Sequence, residues 1–296
     1  MRAVDLFCGC GGLSAGLIQS GIDVVAAYDS WEPALATYRR NIGDHACQLD
    51  LSDIELSTES IRGHNPDLIA GGPPCQDFST AGKRIETGRA NLTIAFGEII
   101  EACRVPFFLM ENVPQVRLSE TYRKTRDGLR AAGYDMAEIV LDASKCGVPQ
   151  ARKRFFAFGA LGQPASRFLE SISDRLGDAP LTVKEYLGNE IDVEHYYRHP
   201  RNYSRRSVFS VHEPSPTVRG VNRPVPPGYK GNHLDSVEPA TVRPLTTRER
   251  SRIQTFPKHW KWSSGDRNAD AETQIGNAVP VGLGLFVGCG IADAAQ

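Results

Sequence analysis

Short apolar runs alternate with amphipathic segments along the first 160 residues of the chain. The apolar runs have the length of sheet-core strands, and the segments between them have the apolar spacing of helices. The predicted pairs of strand and helix are 4–8 with 13–20, 24–28 with 33–41, 68–70 with 92–103, and 107–111 with 121–132. Strands at 134–141 and 155–159 close the series. This alternation predicts an α/β fold with a doubly wound, mostly parallel sheet.

Residues 161–242 interrupt this rhythm with nine prolines and many arginines and tyrosines. Irregular loops on a small, β-poor or mixed domain are expected there. A helix-like segment at 246–254 and an apolar tail at 279–292 restore the α/β pattern. We therefore predict a discontinuous main domain, 1–160 plus 260–296, and a second, smaller domain at 161–259. With no apolar stretch of about 18 residues and no leader pattern, we expect a cytoplasmic protein.

Charge is distributed unevenly along a chain whose net charge is only −1. Residues 150–259 hold 18 Lys and Arg against 11 Asp and Glu, and between 195 and 230 Glu213 is the one acid among six arginines and a lysine. A local basic surface binds phosphates whatever the overall charge. The alternative interpretation is a solvated basic face.

A glycine-rich turn follows the first predicted strand, where residues 5–16 read Asp-Leu-Phe-Cys-Gly-Cys-Gly-Gly-Leu-Ser-Ala-Gly. It lacks the spacing of a dinucleotide fingerprint and the Gly-Lys-Ser/Thr ending of a nucleotide-triphosphate loop. Taken alone, the turn fits a dinucleotide, S-adenosylmethionine or tight packing. Asp29 ends the second strand, where an acid can bind ribose hydroxyls, and Asp50 ends a third short segment. In series, the turn and the two acids outline a nucleoside site.

A single cysteine stands in a rigid frame after the strand at 68–70, where residues 71–79 read Gly-Gly-Pro-Pro-Cys-Gln-Asp-Phe-Ser. Cys75 is therefore the first candidate nucleophile, at a strand end where α/β sheets place their ligands. Glu111 follows a neighbouring strand and could exchange a proton there. Arg152 and Arg154 would point to one side of another strand. The seven scattered cysteines lack the spacing of a zinc site, so we expect no metal.

Five segments in order resemble the DNA cytosine-5 methyltransferase family. They are the Asp-Leu-Phe-x-Gly-x-Gly-Gly turn, Pro74-Cys75-Gln76, Glu111-Asn112-Val113, Gln150-x-Arg152-x-Arg154 and Gln274-Ile-Gly-Asn-Ala-Val-Pro280. Residues 243–257 are similar to a further motif of that family, and the resemblance covers nearly the whole chain except 161–242. It implies a Rossmann-like, S-adenosylmethionine-dependent methyltransferase fold with a target recognition domain.

The resemblance also implies a mechanism. A thiolate at Cys75 would add to C6 of a flipped-out cytosine, since a nucleophile there raises electron density at C5. Glu111 would hold and protonate N3, and Arg152, with Arg154 as a second candidate, would stabilise O2. The segment 76–91 would close over the base.

Residue by residue, the family's cofactor contacts fall on Phe7, Gly9, Gly11, Gly12, Asp29, Ser30, Asp50, Leu51, Leu92, Asn277 and Val279. The substrate contacts are predicted at Pro74, Gln76, Ser79, Asn112, Arg219 and Arg223. Two departures stand out. Ser30-Trp31 replaces the family's large residue against adenine, so Trp31 stacks from a shifted position or the cofactor binds more weakly. Aspartate replaces the usual glutamate at 29.

The expected partner is double-stranded DNA, contacted by arginines and tyrosines of the 161–242 segment. A tRNA substrate is one alternative, disfavoured because the tRNA branch has little sequence in this region. A non-catalytic DNA-binding relative is the other, but it should have lost Cys75, Glu111 or the turn. A cognate restriction endonuclease encoded elsewhere is an expected partner, and a monomer is the family's default.

Overall fold

A seven-stranded sheet between two helical layers dominates the computed structural model, which describes residues 1–74, 91–262 and 268–296. The strands of the described ranges are β1 (Arg2–Leu6), β2 (Asp23–Asp29), β3 (Ala46–Gln48), β4 (Leu68–Gly71), β5 (Phe107–Asn112), β6 (Tyr134–Asp142), β7 (Gln150–Ala151), β8 (Lys153–Leu161), β9 (His195–Tyr197), β10 (Val208–Ser210) and β11 (Ser215–Pro216). The α-helices there are α1 (Gly12–Gln19), α2 (Glu32–Asn41), α3 (Ile54–Arg62), α4 (Asn91–Cys103), α5 (Glu120–Ala131), α6 (Ser166–Arg175), α7 (Val183–Leu187), α8 (Thr247–Ile253), α9 (Asn268–Asn277) and α10 (Val281–Ala294).

The main sheet has the strand order β3-β2-β1-β4-β5-β8-β6. Its first five strands run parallel, β8 is antiparallel to β5, and β6 is antiparallel to β8. The chain order reverses beside β1, so the carboxyl ends of β1 and β4 open a crevice at a topological switch point, where α/β sheets bind ligands. The predicted fold class, doubly wound and mostly parallel, is confirmed.

The two faces of the sheet bury alternate residues of each strand, as a period of two requires. On β5, Phe107 and Leu109 face the layer of α1, α6 and α10, whereas Phe108 and Met110 face the layer of α3, α4 and α5. All four side chains are at most 7% exposed. Burial of each of them stabilises the fold by roughly 1.5–3 kcal/mol.

Four of the described α-helices, α3, α6, α7 and α9, were missing from the sequence prediction. Helix α3 begins at the Asp53 cap, whose side chain accepts a hydrogen bond from the Leu56 amide at 3.1 Å. Helix α6 lies inside the segment expected to be irregular, and its Phe168 and Ile172 pack against α10 and the main sheet. An apolar face on ten residues was enough to form a helix among the prolines.

Residues after α6 build a third hydrophobic cluster of their own. It joins Val183, Tyr196, Val211 and Val218 to Ile275 of α9, among other residues. The short β9–β10 hairpin lies in this part, and β11 pairs in parallel with β7. The predicted division into 1–160 plus 260–296 and 161–259 stays a prediction, because the third cluster contains residues of both predicted domains.

The expectation that the chain has no apolar stretch of about 18 residues is corrected at Ala269–Ala294. By length and composition alone, this segment is long and apolar enough to cross a bilayer. Of its most apolar window, 61% is buried inside the protein. Helix α10 packs between α1 and α6, and it therefore belongs to the core of the fold.

Candidate active site

A cleft lies at the carboxyl ends of β1, β2, β4 and β5, with a cavity volume of about 610 Å³. This lies within the range of roughly 300–1,000 Å³ that small-molecule sites occupy. The residues singled out by the sequence that line it are Phe7, Gly9, Gly12, Asp29, Ser30, Asp50, Leu51, Pro74, Leu92, Glu111, Asn112, Arg152, Arg154, Asn277 and Val279. The fold thus brings together most of the predicted cofactor and catalytic residues.

The glycine turn enters the cleft in an unusual backbone conformation. Phe7 has φ +58°, a strained value for a bulky side chain, and Gly9 follows with φ +53°. A Cβ at Gly9 would meet no atom within 4 Å, so the backbone here borders open space. Gly11 instead serves packing, because its Cβ would lie 2.4 Å from Cδ1 of Ile42. It does not line the cleft.

Asp29 holds the glycine turn in place through hydrogen bonds to its backbone. Its carboxylate accepts hydrogen bonds from the amides of Gly9 and Trp31, both at 2.8 Å. Burial raises the pKa of Asp29, and these amides partly offset the rise. Each carboxylate oxygen has a second lone pair left for a ligand hydroxyl. Trp31 and Ser30 both line the cleft, and of the two Trp31 is half-buried and Ser30 is exposed.

Asp50 is exposed and lines the same cleft, and its Oδ1 accepts from the amide and hydroxyl of Ser52 at 3.0 and 2.7 Å. The hydrogen bonds from Ser52 lower its pKa, so it stays an acceptor. The adjacent Leu51 is 2% exposed and forms apolar wall.

Asp5 is a cleft residue that the sequence prediction missed. It is 1% exposed, its Oδ2 accepts from Ser14 Oγ at 2.6 Å, and its Oδ1 has no hydrogen-bond partner among the described residues. Burial raises its pKa to about 7. An acid within an otherwise apolar strand was the signal that could have identified Asp5, since aspartate is rarely fully buried unless its carboxyl group has a partner.

Glu111 and Arg154 face each other in the cleft. Arg154 Nε lies 2.9 Å from Glu111 Oε1, and the two side chains are 15% and 11% exposed. The contact has the distance of an ion pair without the alignment of a hydrogen bond, so Glu111 Oε1 keeps an open acceptor site. A carboxyl group and a guanidinium therefore stand side by side with capacity for a further polar ligand.

Arg152 takes a different position from its neighbour. It is 1% exposed and donates to the carbonyls of Val218, Gly276 and Ala278 at 3.4, 3.2 and 3.1 Å. Burial and the charge of Arg154 lower its pKa. Its terminal nitrogens hold backbone together, and Nε alone lacks a partner among the described residues.

Asn112 fixes the segment that leads to Cys75. Its amide nitrogen donates to the Pro73 carbonyl at 2.9 Å, and its Oδ1 accepts from the Val113 amide at 2.8 Å. At 3% exposure it is a buried clamp between β5 and the end of β4. Pro74 lines the cleft immediately after it.

A buried pair of amides, absent from the sequence prediction, joins four segments. Gln150 donates to Gln254 Oε1 at 2.6 Å and accepts from the Val218 amide at 2.9 Å. Gln254 in turn donates to the carbonyls of Ile275 and, at 3.2 Å, Ala278. Both glutamines are fully buried. Long-range partners of this kind leave no local pattern in a sequence.

The remaining predicted residues lie elsewhere. Arg219 and Arg223 line a separate cavity, beyond the segment around Val218. Cys75, Gln76 and Ser79, with most of the predicted closing segment 76–91, fall outside the described residues. Within the described ranges no group of three His, Cys, Asp or Glu could hold a metal ion.

Comparisons with known proteins agree over the whole chain. A profile described as "C-5 cytosine-specific DNA methylase" matches residues 1–291. The Type II methyltransferase M.HgiDI of Herpetosiphon aurantiacus is 48% identical over 288 residues, 97% of this chain and 93% of the relative. The Type II methyltransferase M.HindV of Haemophilus influenzae is 49% identical over 296 residues, 99% of this chain and 97% of the relative.

Solved structures share the fold at low sequence identity. The Entamoeba histolytica methyltransferase EhMeth has a TM-score of 0.76 at 16% identity, covering 100% of this chain and 99% of that one. The S. pombe Dnmt2 methyltransferase has a TM-score of 0.70 at 19% identity, covering 97% and 96%.

Proposed function

The chain belongs to the family of C-5 cytosine-specific DNA methylases, and we propose that this DNA cytosine-5 methyltransferase acts on a flipped-out cytosine through a covalent bond between Cys75 and C6. The observation that carries the proposal is the Glu111–Arg154 pair in a cleft beside the glycine turn. An acid and a guanidinium that both keep unused hydrogen-bonding groups can bind the polar edge of a pyrimidine ring.

S-adenosylmethionine, the methyl donor that the family implies, fits the residues at the glycine turn. Open space at Gly9 admits a ligand against the backbone, and Asp29 and Asp50 offer acceptors to ribose and adenine. The unpartnered Asp5 Oδ1 is an acceptor for the ammonium group of the cofactor. Trp31, in the lining, offers the apolar surface for adenine that Ser30 lacks. When bound, the cofactor supplies an electrophilic methyl group.

The base chemistry assigns distinct roles to the polar residues. The Cys75 thiolate adds to C6, which makes C5 nucleophilic, while Glu111 holds N3 and supplies its proton. After C5 gains the methyl group, loss of the C5 proton and departure of Cys75 from C6 restore the aromatic ring. The C5 proton passes to solvent and N3 returns its proton to Glu111, so the Cys75 thiolate and the Glu111 acid are both regenerated.

Arg154, because it adjoins Glu111, is the better placed of the two arginines to stabilise O2. Arg152 then acts as a positioning residue, because its terminal nitrogens are taken by three backbone carbonyls. This proposal reverses the order expected from the sequence, in which Arg152 was the first candidate for O2 and Arg154 the second.

Double-stranded DNA is the substrate we propose, with residues 161–259 as the target recognition domain. The basic charge of this segment and the Type II names of two full-length relatives support both the DNA substrate and a cognate restriction endonuclease encoded elsewhere. A monomer acting on DNA in the cytoplasm completes the proposal.

The decisive experiment is bisulfite sequencing of genomic DNA from a methylation-free host that expresses the chain. We expect protected cytosines in one short sequence context, and none with a Cys75→Ser control expressed at the same level. Methylation of purified tRNA but not of duplex DNA would replace the proposed substrate. Undiminished protection with Cys75→Ser would remove the covalent step, and DNA binding without any methylation would favour a non-catalytic relative.

A further inference from the structure

A second cavity lies in the predicted recognition segment, and its described lining contains four arginines but no aspartate or glutamate. The arginines are Arg198, Arg219, Arg223 and Arg250. We call it the arginine pocket. Its volume is about 30 Å³, which is room for one or two water-sized groups and too little for a nucleobase.

Glu272 and Glu213, two acids of the surrounding segments, already have ion-pair partners. Glu272 pairs with Arg250 and also accepts from Thr247 Oγ1 at 2.7 Å. Glu213, the one acid between 195 and 230, pairs with Arg206. Arg198 and Arg219 have no ion pair among the described residues. Positive charge therefore exceeds negative charge around the pocket.

The guanidinium groups are held in place by backbone carbonyls. Arg198 donates to the Thr217 carbonyl at 2.9 Å, and Arg219 donates to the carbonyl of His199. Arg250 donates to the carbonyl of Arg219 itself. Since a guanidinium has five N–H donors, these anchors leave donors on Arg198 and Arg219 for a ligand.

Partial burial makes this arrangement costly without an anion. Burial, followed by the charge of Arg219, lowers the pKa of Arg198 to about 10, and burial with the charge of Arg201 lowers that of Arg219. A ligand with a full negative charge would relieve the repulsion, whereas the neutral acceptors of a base edge would not.

We propose that the arginine pocket binds one backbone phosphate of the DNA duplex, an inference that rests on the proposed function. A non-bridging phosphate oxygen matches the size of the cavity, and the exposed Val221 and Arg223 at its rim leave it open to a strand. Phosphate contacts of this kind set the register of a protein on DNA.

The pocket is joined to the active-site cleft through close backbone contacts. Arg219 precedes Gly220, whose amide nitrogen would lie 2.0 Å from a Cβ at Gly276. Arg152 bonds the carbonyl before Arg219 and two carbonyls of the cleft segment. A phosphate held by Arg219 is therefore held at a set distance from the cofactor and the flipped base.

Salt-dependent binding of the duplex to the full chain tests the proposal, with Arg219→Met as the probe. Loss of one phosphate contact should reduce the slope of log affinity against log salt by about 0.9. The affinity loss between 50 and 200 mM salt should then shrink roughly threefold, equally for cognate and unrelated duplexes. Arg219→Lys should keep the slope.

Arg130→Met is the matched control, because Arg130 is exposed in the last turn of helix α5 and lies outside both the pocket and the segment 161–242. It should leave the slope unchanged. A scan of single neutral methylphosphonate linkages should then find one position that weakens the wild type but weakens Arg219→Met no further.

Three results would overturn the proposal. One is an unchanged slope for Arg219→Met, and another is a methylphosphonate scan without such a linkage. The third is a change of preferred sequence at an unchanged slope, which would make Arg219 a base contact. If the wild type bound no duplex at all, the proposed DNA substrate would fail first, and the two failures are therefore distinguishable.

Discussion

Replacement of Gly276 by alanine should separate the recognition segment from the cofactor cleft. A Cβ at this position would lie 2.0 Å from the Gly220 nitrogen, 2.3 Å from the Arg219 carbonyl carbon and 2.6 Å from the Gly220 Cα. All three atoms belong to backbone, so no change of rotamer relieves the overlap. One chain segment must move.

The size of the effect follows from that displacement. Ordinary contacts between heavy atoms need about 3.5 Å, so the two backbones must part by roughly 1.5 Å. Alanine within helix α9 would gain at most about 1 kcal/mol of helix propensity. Overpacking costs about 1–3 kcal/mol, and separation would also break Arg152 hydrogen bonds that reach both segments, each worth about 1.5–3 kcal/mol. We expect a net loss of roughly 2–4 kcal/mol.

Urea denaturation of the full chain measures this loss, and the rate of methyl transfer to DNA measures its consequence. Gly63→Ala is the control, because its Cβ would meet nothing closer than 3.6 Å and its φ is −57°. The control should stay within about 0.5 kcal/mol of the wild type. We expect Gly276→Ala to lower kcat/KM at least tenfold, since a shift of 1 Å in positioning has that effect. Wild-type stability together with wild-type turnover would refute the argument that this contact is rigid.

Three further outcomes are expected. The folded pKa of Asp5 is about 7, above the ordinary aspartate pKa of about 3.9, so the native state binds more protons than the unfolded state between these values. The free energy of unfolding should therefore fall on the order of 4 kcal/mol as pH rises from 4 to 7. Asp5→Asn should remove that part of the slope in urea titrations at several pH values, and an identical slope would contradict the assignment. Gln254→Leu should lower stability by about 3 kcal/mol, since it leaves Gln150 and two carbonyls unpaired, while the exposed Gln19→Leu should change it little. Asn112→Ala, which frees the Pro73 carbonyl ahead of Cys75, should lower single-turnover methyl transfer more than S-adenosylmethionine affinity in calorimetry; equal losses in both would argue against a local clamp.

Local periodicity carried most of the fold prediction. Strands β2, β4, β5 and β6 were placed within two residues of their observed ends, because mostly apolar strands of four to nine residues stand out between helices and glycines. Helix α6 was missed for a related reason. Its apolar positions, Phe168 and Ile172, are few, and they become a packed face only against α10.

The sequence likewise predicted one part of the candidate site and missed another part. Glycine, acidic and arginine motifs at strand ends were recognisable in sequence, since the parallel topology brings carboxyl ends to one edge. Which arginine stands beside Glu111 was not recognisable, because Arg152 and Arg154 share a face of the strand and differ only in their distant partners. Asp5, Gln254 and the Gly220–Gly276 contact likewise depend on residues far apart in the chain. The sequence pattern specifies the helices and strands and the sheet edge at which the functional residues lie. Packing between segments that are distant in the chain decides which partner each side chain has.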